Sequence, residues 1–88
     1  MKLSSNKQLY EYLVSLSAEL KSAHADELSA LVTKASRTAG GIPITEFLGE
    51  SHIALRRVSA EENGILSNEK HAELLEVLSQ IDTAFNRR

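Results

Sequence analysis

Eighty-eight residues make one domain rather than two, because independently folding units usually run to about 100 residues or more. Ten Lys and Arg stand against 12 Asp and Glu, for a formal charge of −2; 42% of the chain is apolar, with four Gly, one Pro, no Cys and no Trp. This balance excludes collagen-like, low-complexity and grossly disordered chains, and the missing cysteines exclude a disulfide scaffold and a thiolate zinc site.

Met1 to Asn6 carries one positive side chain and no apolar run, so no secretory leader is expected. No later stretch approaches the ~20 apolar residues of a membrane span. A chain without cysteine suits a reducing compartment, and the cytoplasm is the expected location.

Helical periodicity marks four segments, and no segment alternates like a strand. The first runs from about Ser5 to Lys21, with Leu9, Leu13, Leu16 and Leu20 at 4-3-4 spacing and Tyr12 beside them. Ser5 and Gln8 have the spacing of a capping box. The second spans about Ala23 to Thr38, with Leu28, Val32 and Ala35 as its stripe and Leu31 adjacent. Asp26 and Glu27 near its start and Lys34 and Arg37 near its end follow the order that a helix dipole favours. Neither Gly nor Pro separates these two segments, so one long helix is an alternative.

Thr38 to Thr45 is a clear break: Gly40 or Gly41 can end a helix, Pro43 holds Ile42 extended, and Thr45 can cap the next helix. Ile42 and Ile44 suggest a loop folded onto the core. The third helix is expected from Glu46 to Asn63, with Phe47, Leu48, Ala54, Leu55 and Val58 as its core face. Asn63-Gly64 reads as its C-terminal stop, with Ile65 folding back. Ser67 or Asn68 opens the fourth, whose face is Leu74, Leu78, Ile81 and Phe85, widened by Leu75 and Val77. Apolar residues at 4-3-4 spacing pack helices at shallow angles. The expected fold is therefore all-α, either a small four-helix up-down bundle or a compact helical-hairpin dimer.

Catalytic chemistry has no carrier in this pattern. The residues three before His24, His52 and His71 are Lys21, Gly49 and Asn68, so the Glu-x-x-His spacing of di-iron bundles is missing, as is HExxH. Glu46 with Glu50, and Glu69 with Glu73, put paired carboxylates near helix starts, where they complement the dipole. No serine lies in a GxSxG elbow, and the Gly pair lacks a phosphate-loop context. His52 borders the apolar face and reads as a partly buried structural histidine. No catalytic residue, cofactor or metal ion is expected.

One constellation stands apart. Gly49, Ile53, Arg56 and Ala60 form a second line on the third helix, roughly 180° from its core face. Glycine inside a helix costs about 1 kcal/mol relative to alanine. Two small residues flanking an isoleucine would let another helix approach closely. The line could pack inside the bundle, meet a second copy, or dock a different macromolecule. A kink at Gly49, or an exposed Ile53 on a chain that stays monomeric, would remove it as a docking surface. Short chains bury a modest share of their surface, which favours homodimerisation. The expected function is a small non-catalytic protein-interaction module: an adaptor, inhibitor or regulatory subunit. The alternative is a nucleic-acid-binding regulator using Arg56, Arg57, Lys34, Arg37 and Arg87-Arg88. The net negative charge, and a central loop too long for a helix-turn-helix, make that partner the less expected one.

Overall fold

A computed structural model describes residues 3, 5–40, 44–62 and 64–86, apart from the side chains of 44, 45, 85 and 86. The described residues form four helices: α1 (Asn6–Ser22), α2 (Asp26–Ser36), α3 (Ile44–Glu61) and α4 (Asn68–Asn86). Ser5 caps α1, its backbone extended and its Oγ accepting a hydrogen bond from the Gln8 N–H at 3.3 Å. The leucine stripe of α1 is buried throughout, together with Tyr12.

The two first helices are separate. The His24 N–H donates to the Lys21 carbonyl at 3.0 Å and the Ala25 N–H to the Leu20 carbonyl at 2.9 Å. These are the paired bonds of a Schellman stop, which needs a left-handed residue between them. His24 takes that role at φ 64°, a position that glycine usually fills. Because histidine meets its own Cβ there, His24→Gly should raise stability by about 0.5–1 kcal/mol. Thermal circular dichroism should show a melting temperature a few degrees higher. A lower melting temperature would mean that the imidazole itself holds the turn.

Asp26 and Glu27 occupy the first turn of α2 and Lys34 its last, as the dipole favours. Residues 41–43, including the expected extended Ile42, lie outside the description, as does any packing of Ile42 and Ile44. The α3 helix starts at Ile44, so Thr45 is inside its first turn rather than capping it.

Along α3, Phe47, Ala54, Leu55 and Val58 are buried and Leu48 partly so. Ser51 is also fully buried, at the centre of that arc. Gly64 makes the next reversal at φ +84°. Ile65 does not fold back, as it remains 38% exposed; the neighbouring Leu66 is the buried one. The reason is a carboxylate: Glu62 Oε2 accepts the Leu66 N–H at 2.8 Å and turns that residue inward. Ser67 then caps α4, accepting from the Lys70 N–H at 3.2 Å. On α4, Leu74, Val77, Leu78 and Ile81 are buried. Leu75 is not part of the face: it points roughly 110° from its centre and is about half exposed.

Cross-links show the directions. Ser17 Oγ donates to the Ser29 carbonyl and Ser29 Oγ to the Ser17 carbonyl, at 3.1 and 2.9 Å, between α1 and α2. His52 Nε2 lies 2.6 Å from Asp82 Oδ1 between α3 and α4. Lys70 Nζ is 3.2 Å from Glu19 Oε1, and the Leu3 N–H reaches Gln80 Oε1 at 2.6 Å, tying α1 to α4 near both ends. The Ser17–Ser29 and Glu19–Lys70 links each join a late residue of α1 to an early residue of its neighbour, so α1 runs antiparallel to both α2 and α4, and the short turn at Gly64 sets α4 back against α3. The result is an up-down four-helix bundle of 36 × 22 × 18 Å.

Candidate functional site

Helix α3 passes Gly49 without a break and runs to Glu61. Its core face meets the bundle, and the second line faces outward: Gly49 is partly buried, while Ile53, Arg56 and Ala60 are exposed. Ile53 is 59% exposed, so the line does not pack against other helices of the same chain. The expectation that both seams of α3 could be internal is thus corrected. An 11-residue α2 and the adjacent α4 cover the arc around Ser51, and no fifth helix exists among the described residues to cover the other.

Beside this stripe, Arg57 Nε donates to Glu61 Oε2 at 2.5 Å. The bond holds the guanidinium above its ordinary pKa and the Glu61 carboxyl below its own. Both groups are in water, so the pair adds little to stability. Arg57 is therefore engaged, and Lys34 and Arg37 line a different depression, with no α3 residue in it. Arg87 and Arg88 lie outside the described residues. Among the described residues, the depression that holds Lys34 and Arg37 includes neither Arg56 nor Arg57.

Two grooves flank α1. On the α4 side, a hollow of about 500 Å³ is lined by Tyr12, Glu11, Glu19, Glu73 and Lys70, among others. Burial there pushes the Tyr12 hydroxyl above its ordinary pKa, and the charges of Glu73 and Glu19 push the same way. Lys70, hydrogen-bonded to Glu19, is raised as well. On the α2 side, Val14, Ser17 and Ala18 of α1 face Ser29, Ala30 and Thr33 of α2 across a second groove. Lys21, Lys34 and Arg37 stand around it against one carboxylate, Asp26. Carboxylates thus dominate one flank of α1 and cations the other.

Sequence reading passed over the second groove. Its signal is nevertheless present: Lys7, Tyr10, Val14, Ser17 and Lys21 recur at 3-4-3-4 spacing. The stripe mixes charge, aromatic and hydroxyl, so it does not stand out as an apolar seam.

The histidines serve the scaffold. His24 forms a turn, His52 bridges to Asp82, and His71 Nδ1 sits 3.0 Å from Glu62 Oε1. Among the described residues, no three His, Asp or Glu side chains gather as a metal site, and no helix is long and apolar enough to cross a membrane.

Fold and surface together define a small all-α bundle with uncovered helix faces. No family model matches this chain, and comparison with curated proteins and with solved structures finds no match. The functional reading rests on the residues themselves.

Proposed function

We propose that this chain is a small non-catalytic protein-interaction module, cytoplasmic and homodimeric, whose copies meet through the outer stripe of α3. The observation that carries the reading is Ile53, whose 59% exposure exceeds that of every other exposed large apolar side chain among the described residues. A lone exposed isoleucine is ordinary on a protein surface. Here it sits between Gly49 and Ala60, which have no bulk to hold a second helix away, and beside Arg56, whose stem can lie along the contact. A twofold arrangement would bring the same four residues of both copies together.

Ile53→Asp tests this, because an unpaired carboxylate in an apolar contact is costly. Light scattering should give twice 9.7 kDa for the wild type and 9.7 kDa for the variant, with helical circular dichroism unchanged in both. Dimer affinity should fall about 100-fold or more. A wild type that stays at 9.7 kDa at about 100 µM would overturn the dimer. Lost helicity in the variant would instead mean that Ile53 serves the fold.

A further inference from the structure

We propose that the groove between α1 and α2 is a docking site for an acidic amphipathic helix of a partner protein. The inference rests on the interaction-module reading but uses a surface separate from the α3 stripe.

Shape comes first. The α1–α2 groove has a volume of about 610 Å³ and is walled by two antiparallel helices whose facing residues there are Ser17, Ala18, Ser29, Ala30 and Thr33. Small side chains let a third helix lie close to both backbones. The floor's hydroxyls are already partnered: Ser17 Oγ bonds the Ser29 carbonyl and approaches Ser29 Oγ and Thr33 Oγ1, while Ser29 Oγ bonds the Ser17 carbonyl. Covering this floor with an apolar face therefore strands few polar groups.

Apolar contact is available on the same ridge. Val14 is 46% exposed and Tyr10, one turn earlier, 43% exposed. Together they give a docking helix something to bury, and a tyrosine does so at low entropic cost.

Charge names the occupant. Lys21, Lys34 and Arg37 line the groove, and Lys7 stands with Tyr10 in a separate hollow, two turns and one turn before Val14 respectively on the same stripe of α1. None of these four cations has an ion pair with a described residue, although Lys70 and Arg57 elsewhere are both paired. An acidic protein that keeps three cations, none ion-paired with a described residue, around one groove against the single carboxylate of Asp26 is complementary to a helix with leucine-like residues flanked by carboxylates. Phosphate backbones would meet the same cations, but they have no use for Val14 and would be repelled by the carboxylates on the other flank of α1.

The test uses a fluorescein-labelled peptide of roughly 18 residues with leucines at i, i+3, i+4 and i+7 and glutamates elsewhere, beside a twin with lysines instead. Anisotropy should show micromolar binding of the glutamate peptide and about tenfold weaker binding of its twin. Lys21→Glu with Lys34→Glu and Arg37→Glu should reverse that preference. Val14→Asp should weaken the glutamate peptide about tenfold, and Val14→Ser replaces it if the aspartate variant loses helicity. Amide shifts should move in residues 7–21 and 29–37, and Ile53→Asp should leave binding intact. No binding at about 100 µM, or binding indifferent to the charge reversals, would overturn the proposal. So would shifts confined to α3, which would leave the interaction-module reading standing. A 20-base-pair duplex that outcompetes the peptide would overturn it in favour of nucleic acid, and a dimer dissolved by the charge reversals in favour of a second copy.

Discussion

Phe47→Ala should lower the unfolding free energy by about 3–5 kcal/mol, the cost of emptying a fully buried aromatic site. Phe47 is 0% exposed, and among the described side chains the core around it is aliphatic apart from Tyr12; the side chain of Phe85 lies outside the described residues. Neighbours such as Leu and Val have little reach with which to collapse into the space, which keeps the cavity contribution large. A domain of this length is expected to hold roughly 4–13 kcal/mol in total. The variant should therefore lose roughly a quarter or more of its stability, about 3 of at most ~13 kcal/mol. Phe47→Leu, which keeps most of the volume, should lose about 1–1.5 kcal/mol. Urea titrations followed by circular dichroism give both numbers, and the slope should not change. Position makes the result informative: residue 47 lies in the first turn of α3, just after the central loop. A loss under about 1 kcal/mol for Phe47→Ala would mean that this end of α3 is frayed rather than docked.

What the sequence reveals depends on whether one helix suffices to show it. The stripe of Leu9, Leu13, Leu16 and Leu20 is visible from spacing alone, since a single side chain every turn has one place to go. The outward line through Ile53 is visible for the same reason, but whether a neighbouring helix covers it is a question about tertiary packing. Ser51 escapes notice because a serine at the middle of an apolar arc carries no hydrophobic signal, although its small volume suits the crowded centre. His24 escapes because a left-handed stop is expected of Gly or Asn, and the two bonds that define it depend on backbone geometry. The cationic groove on α1 is hidden more deeply. Lys34 and Arg37 read as complements to the α2 dipole, and only the antiparallel hairpin brings them into one groove with Val14 and Lys21.

Glu62→Ala should cost about 1–3 kcal/mol although Glu62 is a carboxylate at the end of a helix, where truncation is usually harmless. Its side chain is 6% exposed. One oxygen accepts the buried Leu66 N–H at 2.8 Å, and the other lies 3.0 Å from His71 Nδ1. Alanine would leave that N–H without a partner and free Leu66 to swing outward, so the loss combines an unsatisfied donor with weaker packing of the α3–α4 turn. Glu62→Gln separates the contributions. Its amide oxygen can keep the Leu66 bond, so its loss should stay under about 1 kcal/mol if the N–H is what matters. Equal losses for both variants would instead assign the effect to the carboxylate charge facing His71. Hydrogen exchange at the Leu66 amide gives a local readout: it should accelerate strongly in the alanine variant and little in the glutamine one. The geometry also explains why Ile65 stays outside. With Gly64 reversing the chain and Glu62 holding the amide two residues later, the turn has one inward position, and Leu66 fills it.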